Sequence, residues 1–218
     1  MTRAVFFDAA GTLFHLPRGV GWHYRDVALR HGAALDEAEL NRAFRLAWKD
    51  AAAPHETEGA RPDDDRDWWR ALVERVLDEC GGPPMPDRDA YFAELWGEFM
   101  RPGVWELFPE TLEVLSALKG RVRLGVVSNF DGRLRAILSE LVIAEFFDDV
   151  VISSEIGADK PSARIFSAAL VRAGVRASDA LHVGDEPEAD WHGAERAGLR
   201  AFRLQRPENS LRGVLGLL

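Results

Sequence analysis

Short runs of apolar residues recur along the chain, and each is too short to form a helix. They are Ala4–Phe7, Val122–Val127, Val150–Ile152 and Ala180–Val183. These runs lack the polar alternation of a half-exposed strand. The pattern therefore predicts strands that are buried on both faces of a parallel sheet.

Longer segments whose apolar residues recur at helical spacing lie between these runs. The spacing predicts helices over Thr111–Leu118, Arg133–Leu141 and Ala163–Ala173, the last of which ends before Gly174. Parallel strands that alternate with helices need crossover connections. The expected fold is therefore a layered α/β fold with a Rossmann-like parallel sheet.

The stretch from residue 16 to residue 104 breaks this alternation, because it contains no convincing buried strand. Its periodicity instead predicts helices over Trp22–His31, Asp36–Ala52, Trp68–Glu79 and Ala90–Met100. We therefore expect an all-helical insertion at residues 16–104. The α/β core is expected to comprise residues 1–15 and 105–218.

A polar loop over Ala53–Pro62 interrupts the insertion and leads into an acidic run, Asp63–Asp65. Carboxylates suit the exposed N–H groups in the first turn of a helix. We interpret the acidic run as a solvated helix start rather than as a metal site.

Charge and cysteine content exclude several classes of protein. The 218 residues include 36 Asp and Glu against 27 Lys and Arg, which gives a net charge of −9, and no basic patch suggests a nucleic acid partner. The single cysteine, Cys80, excludes an intrachain disulfide and a cysteine-based metal cluster. Neither a signal peptide nor an apolar stretch of membrane-spanning length is present. We expect a cytoplasmic protein without a membrane partner.

Polar side chains follow the predicted strands where each strand ends. They are Asp8 after the first strand, Ser128 and Asn129 after the second, and Asp185, Glu186, Glu188 and Asp190 after the last. The carboxyl ends of parallel strands meet at one crevice, so we expect these side chains to converge. Lys160 precedes a helix and can reach the same place.

This set of residue types suits phosphoryl transfer. Asp8, Asp185 and Asp190 offer the hard oxygen ligands that Mg²⁺ prefers, together with water and a substrate phosphate. The Ser128 hydroxyl, Asn129 and the backbone amides around Gly11 and Thr12 could hold phosphate oxygens, and Lys160 would offset the negative charge. Asp8 itself could attack in line and form an aspartyl-phosphate. A small anionic molecule is the expected partner.

Simpler roles remain open for some of these residues. Ser128 and Asn129 also suit the cap of the following helix. His182 is expected to pack or to form a hydrogen bond within its strand, since no partner spacing indicates a zinc site. The sequence indicates neither the substrate nor the oligomeric state.

Four segments resemble, in order and spacing, the motifs of the haloacid dehalogenase superfamily. They are "FFDAAGTLF", "VVSNFD", "DKPSARIF" and "HVGDEPEADWHGAERAG". Longer phrases such as "LGVVSNFDGRL" resemble the subgroup of haloacid dehalogenase-like hydrolase domain-containing proteins. The resemblance implies that Asp8 is the nucleophile, that Ser128 and Lys160 bind the transferring group, and that Asp185 and Asp190 complete a magnesium site. It also implies that the helical insertion is a C1 cap.

Ala10 departs from the pattern of the superfamily's phosphatases, which carry a second aspartate two residues after the nucleophile. By this resemblance the position gives the metal its backbone carbonyl, which alanine retains. The missing carboxyl is a general acid and base, and such groups typically contribute about 10²–10⁴-fold to the rate. Candidate substitutes are Glu186, Glu188, Asp131, His15 or a group in the cap.

Ala10 leaves four functions open. The first is a magnesium-dependent phosphatase of weak or specialised activity. The second is a binding or regulatory module that retains the fold without turnover. The third is a 2-haloacid dehalogenase, which resembles this chain in its Asp-Ala-x-Gly-Thr start but uses no metal. The fourth is a phosphonate-cleaving hydrolase, for which Lys49 is the one lysine of the cap that could form an imine.

Overall fold

The computed structural model describes residues 1–81 and 85–218 and divides the chain into two compact units. The unit that we call the α/β unit comprises Met1–His15, His55–Asp64 and Glu106–Leu218. The unit that we call the helical unit comprises Leu16–Pro54 and Asp65–Trp105.

Seven strands and nine α-helices are present in the described residues. The strands are β1 (Ala4–Phe7), β2 (Phe14–His15), β3 (Glu106–Leu107), β4 (Arg123–Ser128), β5 (Asp149–Ile152), β6 (Ala180–Gly184) and β7 (Arg200–Arg203). The helices are α1 (Gly19–Arg30), α2 (Glu37–Asp50), α3 (Arg66–Glu79), α4 (Arg88–Glu98), α5 (Thr111–Leu118), α6 (Arg133–Glu140), α7 (Ser153–Ile156), α8 (Ala163–Ala173) and α9 (Gly193–Arg196). A π-helical turn at Pro187–His192 precedes α9.

The centre of the α/β unit is a five-stranded parallel sheet in the order β5-β4-β1-β6-β7. Every residue of the central strand β1 is buried, which explains why its sequence is apolar throughout. Phe7 is opposite Val126 of β4 on one side and Val183 of β6 on the other. This register brings the residues that follow β1, β4 and β6 to the same edge of the sheet.

Helices cover the sheet and complete its core. Phe6 lies in one apolar cluster with Ile165 and Phe166 of α8 and with Ala194 of α9. Neighbouring residues of a strand point to opposite faces, and Phe7 is also fully buried. The predicted Rossmann-like α/β fold is confirmed, and each of the four predicted strands agrees with an observed strand to within one residue at either end.

Strands β2, β3 and β7 are not predicted by the hydrophobic pattern. β2 and β3 are two residues each and pair antiparallel. β7 lies at the sheet edge, and its two arginines are exposed at its ends. Such short or edge strands have no continuous apolar run, because few of their positions are buried on both faces.

The helical unit contains α1 to α4 around its own apolar core. Tyr24 of α1 and Tyr91 of α4 are fully buried there, and the Tyr91 hydroxyl donates to the Tyr24 carbonyl at 3.2 Å. Side chains of Asp36 and Asp87 cap α2 and α4. No helix in residues 1–81 or 85–218 combines the length and the apolar content needed to cross a membrane.

The segment His55–Asp64 lies in the α/β unit, although the predicted boundaries place it inside the insertion at residues 16–104. Thr57 N–H donates to the Gly157 carbonyl at 2.9 Å, and the Arg61 guanidinium forms a buried ion pair with Asp159. Gly157 has φ +72°, and a Cβ there would lie 2.1 Å from the Gly59 carbonyl oxygen. The backbone contact therefore requires glycine at position 157.

Asp64 corrects the interpretation of the acidic run as a solvated helix start. Its carboxylate accepts hydrogen bonds from the Gly132 N–H at 2.8 Å and from the Ser154 hydroxyl at 2.5 Å. Helix α3 does begin directly after the run, at Arg66, but the Asp65 side chain does not cap the first turn of that helix. The run thus anchors the segment His55–Asp64 as well as preceding a helix.

Candidate active site

Asp8 directly follows β1 at the edge of the sheet where β4 and β6 also end. Its N–H donates to the Val183 carbonyl at 2.8 Å, which extends the sheet pairing and fixes the backbone. Its side chain is mostly buried, and Oδ1 accepts the Ser128 hydroxyl at 3.0 Å and Lys160 Nζ at 2.6 Å. The carboxylate predicted as nucleophile is therefore oriented by a hydroxyl from β4 and by an amine.

Lys160 reaches Asp8 from the loop between α7 and α8. Its buried ammonium also lies 2.6 Å from Oδ1 of Asp190. The Asn129 side chain holds the Lys160 backbone on both sides, accepting from its N–H at 2.6 Å and donating to its carbonyl at 2.9 Å. Asn129 was expected to hold phosphate oxygens, whereas here its amide group positions Lys160.

Asp190 lies in the π-helical turn after β6 and is almost completely buried. Its Oδ1 accepts from Lys160 and lies 2.8 Å from His182 Nε2, and its Oδ2 accepts from the Glu186 N–H at 3.0 Å. Asp190 approaches Gly184 so closely that a Cβ at Gly184 would lie 2.2 Å from the carboxylate carbon. Protein donors thus already contact both oxygens of Asp190.

Asp185 follows β6 and contacts the turn that follows Asp8. Thr12, which is fully buried, donates its hydroxyl to Asp185 Oδ1 at 2.9 Å. Gly11 has φ +89°, and a Cβ there would lie 2.5 Å from Asp185 Oδ2, so this position requires glycine. Asp185 and the turn after Asp8 are therefore packed directly against one another.

The turn from Ala9 to Phe14 is closed by its own backbone hydrogen bonds. Gly11 N–H donates to the Phe14 carbonyl at 2.8 Å, and Thr12 N–H donates to the Ala9 carbonyl at 3.2 Å. The amides of Gly11 and Thr12, predicted to hold phosphate, are therefore used within the turn. The hydrogen bonds that close this turn do not use the N–H groups of Ala9 and Ala10.

Three carboxylates meet at this site in a way that suits a divalent cation. One oxygen from each of Asp8, Asp185 and Asp190 lies within 4.8 Å of the other two. Carboxylate oxygen is the ligand type that Mg²⁺ prefers. The donor set therefore fits magnesium, with Asp190 limited to Oδ2 because Oδ1 already accepts from Lys160 and contacts His182. The backbone carbonyl of Ala10 remains a predicted ligand.

Burial and mutual repulsion set the protonation of these acids. Burial raises the pKa of Asp185 to about 7, and the charge of Asp8 adds to this rise. Burial also raises the pKa of Asp8, although Lys160 opposes it. For Asp190, burial acts in the same direction but is outweighed by Lys160 and by the His182 hydrogen bond, which lower its pKa. Without a metal, ionisation of all three carboxylates together is therefore unfavourable, and a bound cation would relieve their repulsion.

Lys160 keeps its charge in this buried position. Burial acts to lower the pKa of Lys160, but the adjacent charges of Asp190 and Asp8 outweigh it and raise the pKa. A permanently charged ammonium beside Asp8 can neutralise a transferring anionic group.

The four core residues considered as substitutes for the missing acid differ in their availability. The Asp131 carboxylate is bound by the Arg133 guanidinium at 2.8 and 2.7 Å. Glu188 pairs with Arg196 at 2.7 Å. Desolvation and the charges of Asp190 and Asp8 raise the pKa of the exposed Glu186. A raised pKa suits a proton donor.

His15, the fourth candidate, lies in β2. Its ring is tilted against Phe108 with centroids 4.7 Å apart. Of the four, Glu186 and His15 have no ion pair among the described residues.

The contact between His182 and Asp190 was not predicted from the sequence, because His182 is expected to pack or to form a hydrogen bond within its strand. His182 is buried in β6, and its Nε2 lies 2.8 Å from Oδ1 of Asp190. The Phe166 and His182 rings pack edge to face. A histidine inside an otherwise apolar strand, two residues before Gly184, was the one available signal. The eight-residue separation from Asp190 has no regular period that would have indicated the contact.

Comparison with known proteins identifies a family whose sequence pattern this chain matches over most of its length. A model of the haloacid dehalogenase-like hydrolases matches residues 2–198. The haloacid dehalogenase-like hydrolase domain-containing protein 3 of Danio rerio is 35% identical over 210 residues, covering 94% of this chain and 86% of its own length. The glyceraldehyde 3-phosphate phosphatase of Methanopyrus kandleri is 39% identical over 218 residues, covering 94% and 85%.

Solved structures share the fold at lower identity. A haloacid dehalogenase (HAD) hydrolase from Bacillus subtilis, bound to magnesium, superposes with a TM-score of 0.76 at 18% identity. The match covers 100% of this chain and 98% of the other. The L-2-haloacid dehalogenase of Xanthobacter autotrophicus has a TM-score of 0.72 at 20% identity, covering 94% and 78%. At these identities the likeness concerns the fold alone.

Proposed function

Because the chain belongs to the haloacid dehalogenase-like hydrolases, we propose that it is a Mg²⁺-dependent phosphatase of a small anionic phosphorylated metabolite. The observation that carries this proposal is the convergence of Asp8, Lys160 and Asp185 at one sheet edge, with Ser128 beside them. The 39% identity with a glyceraldehyde 3-phosphate phosphatase supports this class of substrate.

The reaction proceeds in two displacements at phosphorus. An oxygen of the Asp8 carboxylate attacks, the bond from phosphorus to the leaving oxygen breaks, and an aspartyl-phosphate forms. The leaving oxygen takes up one proton and departs as an alcohol or a phenol. Water then attacks the same phosphorus, which releases inorganic phosphate and regenerates Asp8, and the proton that this water loses replaces the one taken up by the leaving group. Ser128 and Lys160 hold the oxygens of the transferring group. Bound Mg²⁺ supplies charge stabilisation to those oxygens.

Asp185, Asp8 and the Oδ2 atom of Asp190 are the carboxylate oxygens proposed to hold the metal. The Ala10 carbonyl is proposed as a further ligand on the grounds of resemblance. The backbone N–H groups of Ala9 and Ala10 can donate to a phosphate oxygen in place of those of Gly11 and Thr12, which donate within the turn.

Ala10 sets the preferred leaving group. Without a carboxyl at this position, the leaving oxygen departs with less help from a proton donor. Substrates whose leaving group is a weak base, such as aryl or acyl phosphates, should therefore be favoured over alkyl phosphates. Glu186 is the residue that we propose as a partial substitute, because it combines a raised pKa with exposure to solvent.

The test is a leaving-group series of aryl and alkyl phosphates with Mg²⁺ and with EDTA. We expect phosphate release that requires Mg²⁺, falls steeply as the leaving group becomes more basic, and vanishes in Asp8→Asn. Full activity of Asp8→Asn would remove Asp8 as the nucleophile. No release from any ester in the folded protein would instead favour a binding module that has lost turnover.

Dehalogenation is the second candidate, because solved dehalogenases share the fold and Ala10 suits a halide, which needs no proton. Against it, three carboxylates lie within 4.8 Å of one another, which a metal-free reaction does not require. Chloride release from 2-chloropropionate in EDTA would favour this alternative.

Phosphonate cleavage through an imine is the weakest candidate. Lys49 lies exposed near the end of α2, whereas lysines that form imines typically lie in a desolvated pocket. Borohydride trapping of an imine with a phosphonoaldehyde would reverse this ranking.

A further inference from the structure

Arg206 contacts the turn after Asp8 through the backbone carbonyls of that turn. Its guanidinium donates to the Gly11 carbonyl at 2.9 Å and to the Thr12 carbonyl at 3.1 Å. These two residues are the ones that pack on Asp185. One planar group therefore binds the two consecutive carbonyls of the turn, while the Thr12 side chain donates to Asp185.

The guanidinium is itself fixed by two further contacts. It donates to the Glu110 carboxylate at 2.8 Å, and it lies over the Phe108 ring at 3.6 Å from the ring centroid. Glu110 is buried and also accepts from the Leu211 N–H at 3.5 Å. A guanidinium that is stacked and paired in this way loses little conformational entropy when it binds the two carbonyls. The ammonium of a lysine has no planar fork and would lose more.

The position of the turn matters because the Asp185 carboxylate contacts it directly. Its Oδ1 accepts from the Thr12 hydroxyl at 2.9 Å, and a Cβ at Gly11 would lie 2.5 Å from its Oδ2. A displacement of the turn would therefore move Asp185 as well as the Ala9 and Ala10 amides. Groups that orient a metal ligand in this way typically change metal affinity or activity by about 10–100-fold when removed.

We propose that Arg206, held by Glu110 and Phe108, is a positioning residue that fixes the Gly11–Thr12 turn and, through Thr12, the carboxylate of Asp185. It touches neither the reacting atoms nor any of the three acids. The kinetic part of this inference rests on the proposed phosphatase activity, and the structural part does not.

The experiment compares Arg206→Met, Arg206→Lys and Glu110→Gln with the matched control Arg212→Met in the full chain. Arg212 lies on the same C-terminal segment and pairs with the exposed Glu113 at 2.7 Å. The readouts are amide hydrogen exchange of Gly11–Phe14 without metal, the Mg²⁺ dissociation constant by calorimetry, and kcat and KM with an aryl phosphate.

We expect Arg206→Met to speed exchange in the turn selectively, to weaken Mg²⁺ binding, and to lower kcat by about 10–100-fold with a smaller change in KM. Arg206→Lys should be intermediate, since it keeps the charge without the two-carbonyl geometry. Glu110→Gln should change the three readouts in the same direction as Arg206→Met. The double variant Arg206→Met/Glu110→Gln should lose less activity than the two single losses combined, because both residues act as one unit.

The inference would be overturned if Arg206→Met had the same amide exchange rates in the turn and the same Mg²⁺ dissociation constant as the wild type. Exchange that rises equally across the whole sheet would also overturn it, because that would mean general destabilisation. If Arg206→Met does not fold, Arg206→Lys and Glu110→Gln decide by the same readouts. A wild type that hydrolyses no phosphate ester would refute the proposed function alone, because exchange and metal binding still test Arg206.

Discussion

The imidazole Nε2 of His182 lies 2.8 Å from Oδ1 of Asp190, and both side chains are buried. The other ring nitrogen, Nδ1, has no hydrogen-bond partner among the residues that the structure describes. A proton on Nδ1 would be left unsatisfied, whereas a proton on Nε2 meets a carboxylate. His182 therefore carries its proton on Nε2 and donates to the acid that also binds Lys160.

We expect His182→Leu to lower the free energy of unfolding by about 1–3 kcal/mol, because a buried carboxylate oxygen loses a donor. His182→Gln can place an amide N–H near Nε2 and should recover much of this loss. Urea unfolding gives the free energies, and ¹⁵N spectra of the histidine ring report the tautomer. His192→Leu, at an exposed histidine, is the control. Equal losses in the Leu and Gln variants would contradict the assigned donor.

The raised pKa of Asp185, about 7, makes the stability of the metal-free protein depend on pH. The folded state binds this proton more tightly than the unfolded state does. Stability should therefore fall as pH rises from about 4 to about 7, and the loss should be complete above that range.

In EDTA, Asp185→Asn should consequently be more stable than the wild type above pH 7, by about 4 kcal/mol, because the pKa is raised from 3.8 to about 7 and each unit is worth about 1.4 kcal/mol. The two proteins should converge near pH 4. Added Mg²⁺ should stabilise the wild type and leave Asp185→Asn nearly unchanged. Thermal unfolding across pH checks this, and a wild type that is the more stable form in EDTA at pH 8 would contradict it.

Ala10→Asp restores a carboxyl at the position where related phosphatases have one. We expect turnover of alkyl phosphates to rise by about 10²–10⁴-fold, with a smaller gain for aryl phosphates, because general acid help matters most for basic leaving groups. The measurement is kcat/KM across the leaving-group series, with Ala10→Asn as the control of similar size. Equal gains for Asp and Asn would exclude proton transfer as the cause.

Asp64 is expected to hold the segment His55–Asp64 in the α/β unit. Asp64→Ala leaves the Gly132 N–H and the Ser154 hydroxyl without their acceptor, at an expected cost of about 1–3 kcal/mol. Hydrogen exchange and limited proteolysis of residues 55–64 should both increase. Glu58→Ala, at an exposed position of the same segment, is the control and should change neither.

The helices and the central strands were predictable, because each is decided by periodicity within about ten residues. Thr111–Leu118 and Ala163–Ala173 match α5 and α8 at both ends, and Ala4–Phe7 matches β1. Periodicity did not indicate the contacts of the segment His55–Asp64. Its polar residues look like a solvated loop, whereas their partners Gly132, Ser154 and Asp159 lie about 70 to 100 residues away in the sequence.

The candidate site divides in a similar way. That Asp8, Ser128 and Asp185 would converge follows from the parallel sheet, since Asp8 and Asp185 directly follow a strand and Ser128 is the last residue of one. No local pattern predicts that the Asn129 amide binds the Lys160 backbone, that His182 contacts Asp190 or that Arg206 binds the turn.

By itself the sequence determined the α/β architecture, the helical insertion and the residue types at the ends of the strands, because burial in a sheet or a helix leaves a periodic trace in a single stretch of chain. Only the tertiary structure decided which partner each buried polar group takes. A hydrogen bond depends on distances of about 3 Å and on direction between atoms. Those quantities are set by how distant segments pack and leave no period in the sequence.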